Sequence, residues 1–240
     1  MKETMKSLIV VPTYNESENI RKFLPAVFAA AGEADCAVLV VDDASPDGTG
    51  DLVEAMTADY PDKLFLLRRA GKNGLATAYI DGFRWGMERG FEAFMEMDAD
   101  FSHNPDYLPE MFRWIREYDV VIGSRNIPGG GVVNWSLLRK AISRGGSLYS
   151  RIVLGCPIRD LTGGFNFWRK DALDKIGLDS VISRGYSFQI ELKYKAWRAG
   201  CRVKEFPIIF PDRTAGQSKM SKKIFLEALL NIWKIRMGSR

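Results

Sequence analysis

Short apolar runs recur along the first half of the chain, and longer amphipathic segments separate them. Ser7–Val11, Ala37–Val41 and Lys63–Leu67 are apolar runs without strict alternation, which is typical of strands buried on both faces. Phe91–Met97 and Asp119–Ile122 continue the series. Strands that alternate with helices at this interval indicate βαβ units and a mainly parallel sheet flanked by helices.

The segments between these runs predict helices. The segment that begins at Asn15 carries capping residues and acidic residues in its first turn, and the segment 74–89 has apolar residues at helical spacing. The predicted helices of this half are 15–31, 51–60, 74–89 and a stretch that follows Pro105.

The regular alternation of predicted strands and helices ends after Ser124. Residues 127–133 are rich in proline and glycine and predict a mobile loop. The later predictions are a helix over 136–154, a turn over 160–165 that enters a short strand, a helix over 188–199, a strand over 202–210 and a polar, basic loop over 211–221.

The last predicted helix, 224–235, has an apolar arc wider than half its circumference, and Lys222, Lys223, Lys234 and Arg236 border it. Such a helix suits a membrane interface. It equally suits packing against its own domain or a partner subunit. No apolar stretch in the sequence reaches the 18 residues that would predict a membrane span.

Composition indicates a globular protein with a real core. Apolar residues make up 46% of the 240 residues and charged residues 27%, with a formal net charge of +4, so bulk charge does not predict nucleic-acid binding. The basic residues cluster in loops near acidic strand ends and form no stripe with aromatic residues, which also disfavours a nucleic-acid binder.

Cys36, Cys156 and Cys201 have no paired spacing, which argues against a zinc site and fits a reducing compartment. The N-terminus lacks a signal-peptide layout, so we expect a cytoplasmic location.

Two carboxylates stand where the Phe91–Met97 strand ends. Asp98 and Asp100 are two residues apart, so on extended chain they point to the same side. Two such carboxylates repel each other unless a cation lies between them, and their hard oxygen ligands favour Mg²⁺ or Mn²⁺. The alternative is a solvated acidic turn.

Two other strand ends carry polar or aromatic residues toward the same predicted edge. Strand one ends in Pro12–Glu16 and strand two in Asp42–Asp43. Ligands bind at the carboxyl ends of strands in α/β sheets, so Tyr14 could lie along a base while Glu16 or Asp43 accepts from base or ribose. No Gly-x-Gly-x-x-Gly follows strand one, and the sequence has no Walker-type Gly-Lys-Ser/Thr. A dinucleotide oxidoreductase and a P-loop NTPase are therefore disfavoured.

Several ordered motifs together resemble the family 2 glycosyltransferases and, within them, the dolichol-phosphate (polyprenol-phosphate) mannose synthases. The resemblance covers nearly the whole chain. The motifs are Val11-Pro12-Thr13-Tyr14-Asn15-Glu16, Val41 to Thr49, Met97 to His103, Gly123-Ser124-Arg125, Asn134-Trp135 with Arg139, Thr162-Gly163-Gly164-Phe165 and Gly216-Gln217-Ser218-Lys219.

This resemblance implies a Rossmann-like GT-A fold in one domain over 1–240. It divides that domain into a nucleotide-sugar half over 1–125, an acceptor half with mobile loops over 126–220 and an amphipathic C-terminal helix over 221–240. The implied metal ligands are Asp98 and Asp100, and the implied catalytic residues are Asp100, Arg125, Arg213 and Lys219. The implied donor-binding residues are Pro12, Tyr14, Glu16, Val41, Asp43, Asp98, Ala99, Asp100, Arg125, Arg139, Arg213 and Lys219.

The sequence departs from this pattern at one position. Some relatives have glutamine as a further metal contact where this chain has Ser102, so we leave Ser102 outside the metal shell or give it a water-mediated role. The lone histidine, His103, stands before Asn104-Pro105. It fits a helix-entry or supporting residue better than a general base.

The resemblance also implies the reaction. A lipid phosphate, already ionised at neutral pH, attacks the sugar with inversion, and a divalent metal with arginine and lysine stabilises the departing diphosphate. We expect GDP-mannose as donor and dolichyl or polyprenyl phosphate as acceptor. We also expect peripheral attachment to the cytoplasmic face of a membrane, with a membrane protein as a possible partner. We also expect the loop 211–221 to close over the substrates.

Other functions stay open at this point. The chain could use UDP-glucose or another acceptor, or it could be a non-catalytic module that binds a sugar nucleotide or a lipid phosphate. The intact Asp98 and Asp100 pair speaks against a module without activity.

Overall fold

The computed structural model describes residues 5–183, 185–211 and 222–238. In chain order its strands are β1 (Ser7–Thr13), β2 (Cys36–Asp42), β3 (Leu64–Arg68), β4 (Ala93–Glu96), β5 (Val120–Ser124), β6 (Gly131–Val132), β7 (Asn166–Arg169), β8 (Val203–Pro207) and β9 (Ile209–Phe210). Its α-helices are α1 (Ser17–Ala31), α2 (Thr49–Met56), α3 (Leu75–Met87), α4 (Leu108–Ile115), α5 (Leu137–Leu154), α6 (Lys170–Ile176), α7 (Tyr186–Arg198) and α8 (Lys222–Gly238).

The central sheet has the strand order β3-β2-β1-β4-β7-β5-β8. All neighbouring pairs are parallel except those of β7, which runs antiparallel to both β4 and β5. The mixed α/β fold with a mostly parallel sheet is therefore confirmed. The antiparallel direction of β7 did not follow from the sequence.

Alternate residues of the inner strands enter two separate apolar layers, one on each face of the sheet. Leu8 and Val10 of β1 pack in the layer that contains α3, whereas Ile9 and Val11 pack in the layer that contains α1. All four side chains are fully buried. Burial on both faces explains why β1 reads as a continuous apolar run rather than an alternating one.

The second half differs from prediction at three places. The single strand predicted over 202–210 is two strands, because β8 pairs with β5 in the central sheet whereas β9 pairs with β6 in a separate two-stranded sheet. The predicted loop over 127–133 contains β6, which pairs in parallel with β9. Helix α6 was not predicted. Most of the predicted loop over 211–221 lies outside the described residues.

The C-terminal helix α8 packs against α5 and α7. Ile232 and Ile235 are buried in the apolar layer of the α3 face, whereas Leu230, Trp233 and Met237 are exposed. One face of α8 thus contacts its own domain, as one of the two alternatives proposed. No helix within the described ranges is long and apolar enough to cross a bilayer.

We predict that Gly86→Ala destabilises the fold. A Cβ built on Gly86 of α3 would lie 2.6 Å from Leu8 Cδ2 and 2.6 Å from Phe94 Cε1, so the helix would have to move away from the sheet. Overpacking of this kind costs about 1–3 kcal/mol. Gly145→Ala in α5 is the matched control, because its Cβ would meet no heavy atom within 4 Å and alanine favours a helix by about 0.5–1 kcal/mol. Denaturant unfolding of both variants measures the difference, and equal stabilities would contradict the close helix–sheet packing.

Candidate active site

Three neighbouring parallel strands, β2, β1 and β4, end at one edge of the central sheet. Main-chain bonds continue past the strands and hold their following loops together. The Asp43 N–H donates to Thr13 O at 3.0 Å, and the Met97 N–H donates to Val10 O at 3.1 Å. The polar residues that follow these strands therefore meet at one rim, as the sequence predicts.

The loops at this rim are held in a sparsely populated backbone conformation. Asn15, Ala44 and Phe101 follow β1, β2 and β4 and have φ of 60°, 55° and 59°. Alanine and phenylalanine lack the local hydrogen bonding that makes this conformation less costly for asparagine. The Phe101 ring packs edge-on against Phe23 at 5.4 Å. Strain that surrounding contacts maintain is concentrated at functional sites, which marks this rim as a candidate active site.

Asp98 and Asp100 are each oriented by a neighbouring hydroxyl. Tyr79 Oη donates to Asp98 Oδ1 at 3.1 Å, and Ser102 Oγ and N donate to Asp100 Oδ1 at 2.5 and 3.0 Å. Burial and the nearby Asp98 charge raise the pKa of Tyr79 well above its usual value, so this phenol stays protonated and remains a donor. Ser102 therefore contacts Asp100 itself, which is a supporting role for the residue that replaces glutamine.

His103 supports the same loop. Its Nδ1 accepts a hydrogen bond from the Asp98 N–H at 2.9 Å, and its ring stacks on Phe165 at a centroid distance of 4.9 Å. The side chain is buried. Because Nδ1 holds a main-chain donor, His103 fits the structural role expected at the entry to the following helix rather than that of a base.

Asp43 forms a nearly buried ion pair with Arg69, a residue that sequence reasoning missed. Arg69 Nη1 lies 2.6 Å from Asp43 Oδ1, its Nη2 donates to Thr77 Oγ1 at 2.7 Å and its Nε lies 3.1 Å from Asp81 Oδ2. Burial raises the pKa of Asp43, and Arg69 opposes that rise. Arg69 directly follows β3, so the rule that ligands bind at strand ends could have identified it.

The Tyr14 ring lies beneath Lys72, a second cationic residue that was not predicted from the sequence. Lys72 Nζ is 3.6 Å from the centroid of the Tyr14 ring, a distance at which a cation is attracted to the aromatic face. The exposed part of Tyr14 and the pair of Asp43 with Arg69 thus lie at the same end of β1 and β2. An aromatic face, a carboxylate and two cations suit a nucleoside with an attached phosphate.

The remaining predicted donor residues differ in accessibility. Pro12 and Glu16 are half-buried, and Glu16 Oε2 accepts from Asn19 Nδ2 at 2.8 Å. Val41 and Ala99 are buried and their side chains belong to the two apolar layers. Any contact of Val41 or Ala99 with a ligand would therefore involve the main chain.

Arg125 lies at the end of β5 in a buried ion pair with Asp160. Arg125 Nε and Nη2 donate to Asp160 Oδ2 and Oδ1, both at 2.8 Å, and Nη2 also donates to Thr162 Oγ1 at 3.0 Å. Arg125 is 9% exposed and Asp160 is fully buried. The Nε and Nη2 edge of this guanidinium therefore binds a carboxylate of the protein.

Arg139 reaches the same region from the first turn of α5. Its Cζ lies 3.9 Å from the centroid of the Trp135 ring, and Arg125 Cζ lies 5.9 Å from the same centroid. Trp135 thus brings two predicted phosphate-binding arginines together. The other two predicted basic residues, Arg213 and Lys219, lie outside the described residues.

A buried polar cluster behind the carboxylates was also missed. Asn166 Nδ2 of β7 donates to Glu96 Oε2 at 2.6 Å and to Gln189 Oε1 at 2.8 Å, and Lys193 Nζ donates to Gly163 O at 2.6 Å. Burial raises the pKa of Glu96 and lowers the pKa of Lys193. The cluster links β4, which Asp98 follows by two residues, to β7 and α7.

Solved structures that resemble this fold include two glycosyltransferases. A mannosyltransferase from Pyrobaculum calidifontis in complex with GDP-mannose and Mn²⁺ matches 98% of this chain and 70% of its own chain, with a TM-score of 0.62 and 16% identity. Glucosyl-3-phosphoglycerate synthase from Mycobacterium tuberculosis, in complex with Mn²⁺, UDP and glucosyl-3-phosphoglycerate, matches 96% and 80%, with a TM-score of 0.64 and 15% identity. These likenesses establish a GT-A fold.

Closer relatives come from sequence comparison. The chain is 47% identical over 236 residues to the undecaprenyl-phosphate mannosyltransferase of Micrococcus luteus, which covers 98% of this chain and 96% of the relative. It is 41% identical over 239 residues to the polyprenol monophosphomannose synthase of Mycolicibacterium smegmatis, covering 98% and 89%. Residues 8–177 match the model of glycosyl transferase family 2. The chain is therefore a glycosyltransferase and belongs to family 2.

Proposed function

We propose that this chain transfers mannose from GDP-mannose to the phosphate of a polyprenol or dolichol, with inversion and with the help of a divalent metal. The observation that carries the proposal is the similarity over nearly the full length to the Micrococcus luteus undecaprenyl-phosphate mannosyltransferase. The rim of β1, β2 and β4 is the proposed donor site. The proposed acceptor site includes Arg125 and Arg139, and one domain with the boundaries predicted from the sequence contains both.

The donor set of Asp98 and Asp100 fits Mg²⁺ or Mn²⁺. Both side chains offer hard carboxylate oxygens, and the hydrogen bonds from Tyr79 and Ser102 fix their orientation. Within the described ranges, no group of three or more histidine, cysteine or acidic residues is arranged to hold a metal ion. A site with two carboxylates suits Mg²⁺, which keeps waters and takes further oxygens from substrate phosphates. When bound, the ion would neutralise negative charge on the departing diphosphate.

Tyr14, Asp43 and Glu16 are the proposed contacts for the nucleoside, with Pro12, Val41 and Ala99 beside them. Arg69 holds the Asp43 carboxylate in place. Lys72, which lies over the Tyr14 ring, is the proposed contact for the phosphates. Guanine and uracil both offer N–H groups to a carboxylate. GDP-mannose is preferred because the curated relatives transfer mannose by name, and UDP-glucose is the alternative donor.

The proposed reaction is a single displacement. A phosphate oxygen of the acceptor forms a bond to the anomeric carbon, and the bond from that carbon to the diphosphate oxygen breaks with its electron pair on GDP. The acceptor phosphate is ionised near neutral pH, since its second pKa is about 6, and therefore needs no strong base. This agrees with the structural role of His103. Arg125, Arg139, Arg213 and Lys219 are proposed to balance phosphate charge.

Product analysis tests this function. Purified protein with GDP-mannose, polyprenyl phosphate and Mn²⁺ should yield polyprenyl phosphate mannose and GDP. Because GDP-mannose is α-linked, inversion predicts a β-linked mannosyl phosphate in the NMR spectrum of the lipid product. An α-linked product would exclude a single displacement. A lipid product formed from UDP-glucose alone would select the alternative donor.

We predict that Asp100→Ala lowers metal-dependent turnover by about 100-fold or more, since stabilisation of developing charge is worth this much in comparable sites. Asp106→Ala is the matched control, because Asp106 is exposed and belongs to the same acidic segment. Initial rates with Mn²⁺ titrated against EDTA measure the effect. Full turnover of Asp100→Ala, or of the unaltered protein in excess EDTA, would exclude the metal site.

An exposed apolar surface supports peripheral membrane binding near a lipid acceptor. Leu148 and Ile152 lie one turn apart on α5 and are 53% and 71% exposed. Trp233 of α8 donates to Tyr149 Oη at 2.9 Å and so joins the exposed face of α8 to this stripe. We call this the α5–α8 face; it consists of Leu137, Leu148, Ile152, Leu230, Trp233 and Met237, with exposed Arg144, Lys234 and Arg236 beside it. Apolar side chains bordered by cations suit an anionic lipid surface.

We predict that Ile152→Ser weakens binding to vesicles of phosphatidylglycerol and phosphatidylcholine by about tenfold, from the loss of one inserted side chain. Co-sedimentation measures the partition constant. Leu75→Ser on α3 changes another exposed apolar residue and should leave binding unchanged. Equal binding of all three proteins would show that the α5–α8 face does not contact the membrane.

A further inference from the structure

The carboxylate of Asp160 accepts hydrogen bonds from two separate segments of the site. One is the end of β5, where Arg125 donates through its main-chain N at 2.9 Å and through Nε and Nη2. The other is the Thr162–Phe165 turn, where the Gly163 N–H donates at 2.9 Å. Asp160 therefore joins β5 to a turn that precedes β7.

The main chain of Asp160 is held just as firmly. Its N–H donates to Glu205 Oε1 of β8 at 2.9 Å, and its carbonyl oxygen accepts from Lys193 Nζ of α7 at 2.8 Å. Arg125 and Lys193 keep the pKa of Asp160 below its usual value despite complete burial. The carboxylate is thus ionised at neutral pH, and Asp160 is held through both its side chain and its main chain.

This arrangement determines which part of Arg125 can meet a ligand. The Nε and Nη2 edge is used by Asp160, and Nη1 takes part in none of these bonds. Phe210 and Trp135 flank the guanidinium, with centroids 5.4 and 5.9 Å from Cζ. Arg125 can therefore offer one nitrogen in a fixed direction, rather than the two-nitrogen fork that arginine usually presents to a phosphate.

We propose that Asp160 is a positioning residue, which holds Arg125 so that Nη1 points at a substrate phosphate. This inference rests on the proposed transferase function. Stability alone is a weak reason for such a pair, because well-packed apolar residues often replace a buried ion pair without loss. A rotated guanidinium, in contrast, would misplace the phosphate, and an error of about 1 Å can lower a rate by about 100-fold.

A double-mutant cycle tests the proposal. Asp160→Asn keeps the shape of the side chain and removes its charge, and Arg125→Gln removes the guanidinium. We expect Asp160→Asn to lower kcat by about 10- to 100-fold, and the double variant to be no slower than Arg125→Gln alone. Separate KM values for GDP-mannose and for polyprenyl phosphate show which of the two phosphates Nη1 contacts. The proposal would be overturned if the two substitutions lowered kcat independently, so that their fold-losses multiplied in the double variant. Normal turnover of Asp160→Asn would overturn it as well.

Glu205→Gln is the matched control, because Glu205 contacts the main chain at Arg159 and Asp160 and leaves the ion pair intact. It should change thermal stability without a similar loss of kcat. If Asp160→Asn does not fold, Thr162→Val removes a single acceptor of Arg125 Nη2 and should lower kcat by several-fold, but not in an Arg125→Gln background. Unchanged turnover of Thr162→Val would then overturn the proposal.

A readout without substrate separates this inference from the proposed function. In the unaltered protein the buried Arg125 Nε–H should give a ¹⁵N–¹H NMR signal that is protected from solvent exchange, and Asp160→Asn or Thr162→Val should reduce that protection. An unprotected signal in the unaltered protein would contradict the fixed guanidinium. A protected signal in a protein that transfers no mannose would reject the function alone.

Discussion

The grouping of carboxylates at one edge of the sheet is the constraint on which this site depends. Asp43 follows β2, and Asp98 and Asp100 follow β4 on the other side of β1, so all three lie at a single rim. Asp43 pairs with Arg69 at 2.6 Å, and Asp98 and Asp100 accept hydrogen bonds from the hydroxyls of Tyr79 and Ser102, which fix their orientation. Carboxylates held in place in this way can serve as hard oxygen ligands for a divalent cation, which would in turn bind phosphate oxygens.

The other half of the site is organised by buried polar contacts rather than by apolar packing. Strand β7 enters the sheet antiparallel between β4 and β5, and Asn166 at its start contacts Glu96 and Gln189. Lys193 and Asp160 continue this chain of contacts to Arg125. These contacts provide buried polar groups with hydrogen-bond partners that burial makes important, although Glu96 Oε1, Asn166 Oδ1 and Gln189 Nε2 have none. The chain of contacts connects Arg125, in the proposed acceptor site, to β4, which Asp98 follows.

The first five strands and the helices between them could be predicted because each depends on a local pattern. Strands buried on both faces require continuous apolar runs such as Leu8–Val11, and the strand-end rule then identified Tyr14, Asp43, Asp98 and Asp100. The direction of β7 could not be predicted, because it depends on pairing with strands about 70 and 45 positions away in sequence. Strand β6 was missed because its Pro/Gly-rich segment has no strand pattern of its own and depends on pairing with β9.

Two site residues that were not predicted from the sequence, Arg69 and Asp160, form ion pairs with predicted residues and were not part of the residues carried over from a motif. Arg69 was missed although it follows a strand, because its importance comes from Asp43, 26 positions away. Asp160 lies 35 positions from Arg125, and a sequence alone does not show that an arginine already binds a carboxylate of the protein. The motif therefore identified Arg125, whereas the structure shows that Arg125 Nε and Nη2 already bind Asp160 and Thr162.

The central claim is that the rim after β4 binds a nucleoside diphosphate through a metal on Asp98 and Asp100. A crystal structure of the protein with GDP and Mn²⁺, with diffraction recorded for manganese anomalous scattering, tests it most directly. We predict one anomalous peak in contact with carboxylate oxygens of Asp98 and Asp100 and with diphosphate oxygens of GDP, whose base lies beside Tyr14. GDP bound at this rim without a manganese peak, or manganese bound away from both carboxylates, would contradict it.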